Sequence, residues 1–179
     1  GIRDHCVTGV QTCALPISAV RYLRDTGPGT PIDPALDTVE IGKGRQLRKG
    51  KTVGILAFGT MVTPALAAAE SLDASVADMR FVKPLDTDLV LAFAAKHKLL
   101  VTVEENAIAG GAGAAVAEFL AAQGIVMPVL HLGLPDRFLE HGKPQDMLKD
   151  VGLDAAGVES AIRARLKALR PAPAKRAAR

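Results

Sequence analysis

From Thr52 to Leu132 the chain alternates short apolar runs with stretches whose apolar residues recur every three to four positions. That rhythm is the mark of repeated strand–helix units. Thr52–Ala57 (TVGILA) reads as a buried strand, Phe58-Gly59-Thr60 as the turn after it, and Val62–Leu72 as a helix with Thr60 as a possible cap and Pro64 in its first turn. Ala74–Val82 (ASVADMRFV) alternates at period two and is stopped by Lys83-Pro84, so it reads as a second strand. Asp86 or Thr87 can cap the next helix, where Leu89, Val90, Phe93, Ala94 and His97 share helical spacing up to Lys96-His97-Lys98, whose cations suit a helix C-terminus. Leu99–Val103 (LLVTV) fits a strand buried on both faces. Glu104-Glu105-Asn106 and Gly110-Gly111-Ala112-Gly113 then lead into an Ala-rich helix, Ala114–Gln123, stopped by Gly124. Met127–Leu132 is a further strand, ended by Gly133-Leu134-Pro135-Asp136. A short helix from Lys143-Pro144 to Lys149 precedes a longer one, Asp154–Leu169, with Val158, Ile162, Leu166 and Leu169 on one face. Upstream, Val39–Phe58 places two β-like runs around a basic, Gly-containing turn and predicts a hairpin. The expected class is α/β, with three layers and a mostly parallel sheet covered by helices on both faces.

Composition narrows this picture. Aromatics make up 3% of the residues, with no Trp, so the core is to be built from Val, Leu, Ile and Ala. No stretch is long and apolar enough for a membrane span. The formal charge of +3 hides an asymmetry: seven Lys or Arg and no acid lie between Arg163 and Arg179, which leaves 15 basic against 19 acidic side chains elsewhere. A nucleic-acid reading therefore rests on a Pro/Ala/Arg tail alone, and the tail is expected to be solvated. Both cysteines, Cys6 and Cys13, fall in the first 18 residues, which excludes a disulfide framework or a Cys-based metal site from the body. That first stretch shares no pattern with the residues after it, and Val7–Ile17 (VTGVQTCALPI) resembles a translated sequencing-library adapter. The expected division is an artefactual leader over 1–18, the end of a preceding domain with a Pro/Gly linker over 19–38, one domain over 39–169, and a basic tail over 170–179.

Several residues invite chemistry. The Gly110–Gly113 loop opens a helix and suggests a phosphate cradle, yet its spacing falls short of a dinucleotide fingerprint and Glu104-Glu105 would repel phosphate. Close backbone packing at the helix N-terminus is the expected role. Glu104 and Glu105 sit where α/β sites gather, but neighbouring strand residues point to opposite faces, which favours capping or interface duty over a paired acid and base. His97, His131 and His141 lie in three different elements without metal-ligand spacing, so no metal site is expected. Lys43, Arg45, Arg48, Lys49 and Lys51 lack interleaved aromatics and read as a solvated rim.

The ordered set FGT, DMRFVKPLD, VEENA, GGAG, GLPDRF and GLDAAG, spread from about Ser18 to Leu166, resembles the C-terminal domain of the 1-deoxy-D-xylulose-5-phosphate synthase family. Transketolases and the β subunits of 2-oxoacid dehydrogenases share parts of it and are the near alternatives. The resemblance implies a transketolase C-terminal-like fold in a cytoplasmic transferase that uses thiamine diphosphate and Mg2+. Such an enzyme joins pyruvate to glyceraldehyde 3-phosphate with decarboxylation, the first step of non-mevalonate isoprenoid synthesis and a source for thiamine. Its partners are its own N-terminal domains and a second subunit in a homodimer. The family's Gly-Asp-Gly…Asn motif for the magnesium diphosphate and its catalytic glutamate have no counterpart here, so no catalytic, cofactor-binding or metal residue is expected in this chain. Arg24 matches the family's arginine for the acceptor phosphate, although Leu23 and Asp25 stand where the family has Pro and Gly; the residues by themselves equally allow a solvated loop charge. Assembly, rather than chemistry, is the role this leaves for the domain. Without the resemblance the residues reach a soluble α/β domain, and a free-standing nucleotide-binding α/β protein stays open.

Overall fold

The structure, a computed structural model, describes residues 38–169. A five-stranded sheet runs through it in the order β1-β3-β2-β4-β5, formed by β1 (Arg45–Arg48), β2 (Gly54–Ala57), β3 (Ser75–Asp78), β4 (Leu100–Ala107) and β5 (Val129–Leu134). Four strands are parallel, and β1 alone runs antiparallel, against β3. Helices α1 (Val62–Leu72) and α5 (Ala155–Ala168) cover one face, packing with Ile55, Val76, Val101 and Val103. Helices α2 (Thr87–Lys96) and α3 (Ala112–Ala122) cover the other, packing with Leu56, Ala77 and Leu100. A short α4 (Pro144–Asp150), with Pro at its start where a missing N–H is harmless, links β5 to α5. The mostly parallel three-layer α/β fold expected from the apolar runs is thus the observed one.

The local chemistry explains most element ends. Asp86 accepts from Leu89 N at 3.0 Å and so caps α2; it also accepts from Gly44 N at 2.8 Å, which ties the approach to β1 onto the same residue. Asp154 caps α5 through Gly157 N at 2.8 Å. Gly124, at φ +68°, closes α3 in the left-handed conformation that glycine adopts without strain. Strand β3 ends at Asp78, well before Val82, because Arg80 takes a left-handed φ of +56° that no strand accommodates.

Four further expectations change. The hairpin over Val39–Phe58 does not form: β3 lies between β1 and β2. After β1 the chain crosses the start of β3, where Lys51 N and Thr52 N donate to Asp73 O at 2.8 and 3.1 Å and Gly50 N donates to Ser75 Oγ at 2.9 Å. A Cβ at Gly50 would collide with the backbone of Asp73 and Ala74, so this crossing requires glycine. Strand β4 continues through Glu104-Glu105-Asn106 instead of ending before them, and β5 begins and ends two residues later than expected because it pairs with β4 from Leu100↔Val129 to Val103↔Leu132 and, past a register shift between Val103 and Ala107, again at Ala107↔Leu134. Thr60 does not cap α1; it sits in a 3-10 turn, Gly59–Met61, and its side chain is used elsewhere.

Candidate functional site

The connections β2–α1–β3 and β3–α2–β4 leave the sheet in opposite directions, so the strand order reverses between β2 and β4. Open α/β sheets place their ligand crevices at the carboxyl ends of strands beside such a reversal. Here the reversal is bordered by the Gly59–Met61 turn and by Glu104 and Glu105. Thr60 Oγ1 donates to Glu105 Oε2, which bridges the two strand ends across the crevice.

Glu104 and Glu105, adjacent on β4, take different partners: Thr60 for Glu105 and the start of α3 for Glu104. Glu105 is exposed. Glu104 is buried at 3% exposure, and its carboxylate accepts from Ala112 N at 2.7 Å and from Gly113 N at 2.8 Å. These are the first amides of α3, whose N-terminus concentrates unpaired donors and positive potential. An internal carboxylate therefore occupies the position where a phosphate would sit. The glycines are needed for this approach: a Cβ at Gly111 would collide with Glu104 Oε2, and one at Gly113 with Thr102 Oγ1 and His131 Nδ1. The loop is a close-packed cap, and the same carboxylate lets α3 begin at Ala112, two residues before the expected start.

Beneath the cap, Thr102 Oγ1 and His131 Nδ1 lie 2.7 Å apart, brought together by the register Thr102↔His131. Thr102 is wholly buried, so the pair cannot meet a substrate as nucleophile and base. Burial lowers the His131 pKa, partly opposed by the nearby Glu104 carboxylate. His97 closes α2 at 7% exposure, edge-on to Phe93, with no partner for either ring nitrogen among the described residues. Burial, reinforced by the adjacent Lys96 charge, lowers its pKa. His141 lies in the loop before α4, and among the described residues no group of His, Cys, Asp and Glu converges as a metal site would require.

Of the basic residues before β2, Lys43 pairs with Asp88 at 3.1 Å on the surface, while Arg48 is half-buried and donates to Ala74 O at 2.5 Å. Arg48 is thus spent on tying β1 to the start of β3. Arg24 lies outside the described residues, as do the expected leader, the expected linker up to residue 37 and the expected basic tail. No helix among the described residues is long and apolar enough to cross a membrane. Sequence reasoning missed the Thr102–His131 and Thr60–Glu105 contacts; both join residues that only strand register brings together.

A thiamine diphosphate would need amides or a metal for its phosphates. The amides at the start of α3 are committed to Glu104, so that helix start does not fit the group.

Residues 42–158 match the family described as transketolase, C-terminal domain. A 1-deoxy-D-xylulose-5-phosphate synthase of Thiobacillus denitrificans is 64% identical over 152 residues, covering 85% of this chain and 25% of that protein. The enzyme of the same name from Pseudomonas entomophila is 60% identical over 152 residues, covering 85% of this chain and 24% of that protein. The chain thus spans about a quarter of the length of these curated relatives. Among solved structures, a split-gene transketolase in an inactive β4 tetramer superposes with a TM-score of 0.69 at 38% identity, covering 78% of this chain and 46% of that one. A transketolase from Pichia stipitis shares the fold at 18% identity and a TM-score of 0.51, covering 73% of this chain and 19% of that one. With the parallel sheet, its antiparallel edge strand and the matched span of residues in agreement, the chain belongs to the transketolase C-terminal domain family.

Proposed function

We propose that the chain is the C-terminal part of a thiamine-diphosphate-dependent 1-deoxy-D-xylulose-5-phosphate synthase, and that its domain serves assembly while the chemistry resides in the rest of the parent. The observation that carries the first half is the 64% identity to such a synthase along 152 residues. The second half is supported by Glu104, a carboxylate at the strand-order reversal, which is consumed in capping α3. In this reading the parent decarboxylates pyruvate and transfers the two-carbon unit to glyceraldehyde 3-phosphate in the cytoplasm, with thiamine diphosphate and Mg2+ held by its other domains, as a homodimer. Within the chain, residues 1–18 are a leader foreign to the gene, 19–38 close the preceding domain and link it, 39–169 form the domain, and 170–179 are a tail.

The test is to recover the gene upstream of Ser18 and to assay the full-length product beside the 179-residue chain, with thiamine diphosphate and Mg2+ supplied to both. The full-length protein is expected to turn over pyruvate and glyceraldehyde 3-phosphate, and the chain alone is not. Turnover by the chain alone would refute the assembly role. A full-length protein without synthase turnover would refute the activity. Arg24 is proposed as a phosphate contact: in the full-length protein Arg24→Ala should raise KM for the phosphorylated acceptor more than KM for pyruvate, and an equal rise would remove it from that site.

A further inference from the structure

Seven large hydrophobic side chains are exposed among the described residues: Val39, Ile41, Val82, Ile108, Val126, Phe138 and Leu169. Single exposed hydrophobics are ordinary; their placement here is not. Val82 follows β3, Ile108 follows β4 and Phe138 follows β5, so all three leave the sheet at the carboxyl end of its parallel strands. Val39 and Ile41 join them, because β1 runs antiparallel with Arg45 opposite Asp78, which puts the residues before β1 at that same end. The contact of Gly42 with Pro84, close enough to leave no room for a Cβ, fixes this position. Only Val126 and Leu169 lie elsewhere. Phe138 is fully exposed on a loop that borders a cavity lined by Ala107, Leu134 and Met147.

A concentration of apolar side chains at one end of a domain, interspersed with Glu105, Asp136 and Arg137, has the make-up of an interface with a polar surround. We propose that the strand-carboxyl end is the surface on which the rest of the parent polypeptide docks in cis, with Phe138 as its principal anchor. The inference rests on the reading that the chain is part of a longer enzyme. Two observations select a cis partner over a second copy. The curated relatives are about four times as long as the matched stretch, so a large body of polypeptide has to be accommodated. The described fold is also entered at this end, at Thr38, so a docked neighbour here needs no connection across the domain.

The experiment compares hydrogen exchange in the full-length parent and in the 179-residue chain. Amides of residues 80–84, 107–111 and 135–140 should exchange at least about tenfold more slowly in the parent, the factor expected when a hot-spot contact excludes water. Phe138→Glu in the parent should abolish that protection and speed proteolytic release of the domain by at least about tenfold. Val126→Glu, at the opposite end, should do neither. The same Phe138→Glu change in the 179-residue chain should leave its thermal midpoint unmoved, which separates lost docking from misfolding. Equal exchange in parent and chain would overturn the proposal. Protection that disappears on dilution of the parent to monomer, with the domain still protease-resistant, would assign the surface to a second copy and also overturn it. Synthase turnover of the wild-type parent is scored separately: an inactive parent with protected loops refutes the activity alone, and an active parent with unprotected loops refutes the docking alone.

Discussion

Replacing Glu104 by Gln is the most direct test of how this domain is held together. The carboxylate is buried and accepts two backbone N–H groups, at 2.7 and 2.8 Å, from adjacent residues of α3. An amide of the same shape keeps one oxygen acceptor but turns its NH2 towards the second backbone donor. One charge-assisted hydrogen bond is lost, worth about 1.5–3 kcal/mol, and a buried N–H is left facing a donor. Relief from burying a charge offsets part of this, so the net cost is about 2 kcal/mol. For a domain of this size each kcal/mol moves the thermal midpoint by roughly 3–5 °C, so Glu104→Gln should lower it by about 6–10 °C. Glu104→Ala removes both acceptors and leaves a cavity, and should cost about 3–4 kcal/mol. Glu105→Gln is the control: exposed and, among the described residues, bonded to Thr60 alone, it should stay within about 0.5 kcal/mol of wild type. Thermal and urea unfolding of the 179-residue chain at neutral pH give these numbers. A Glu104→Gln midpoint within about 2 °C of wild type would show that the carboxylate does not cap α3, and the explanation of the Gly110–Gly113 loop would fall with it.

Two more outcomes are expected from the buried polar groups and their packing. Because burial lowers the His97 pKa, the unfolded chain takes up the proton first, so stability is fully present above about pH 6.5 and falls as the pH drops through the unfolded value towards the lower folded one. His97→Leu should flatten that fall between pH 7 and 5 in unfolding measurements, and an unchanged slope would clear His97 of responsibility. Gly113→Ala should destabilise the chain by about 2–4 kcal/mol, because its methyl group would enter the space of Thr102 and His131; a wild-type urea midpoint would refute the packing described for that loop.

The sequence alone determined the rhythm of strands and helices, the burial of β2 and β4, and a cap for α2 at Asp86 or Thr87, of which the fold uses Asp86. Those properties depend on residues two to four positions apart, so local periodicity and side-chain chemistry carry them. The set of short motifs was enough to suggest the family. What the sequence could not decide was pairing. Whether β1 joins β2 as a hairpin or edges β3 turns on the crossing at Gly50 and Asp73, and that contact spans more than twenty residues. The direction of Glu104 was likewise open: alternation put it on the face opposite Glu105, but only the fold brings the first turn of α3 over that face. Register alone joins Thr102 to His131, and sheet order alone joins Thr60 to Glu105. The gathering of Val39, Ile41, Val82, Ile108 and Phe138 at one end arises from the directions of four strands, a property of the sheet that no window of sequence contains.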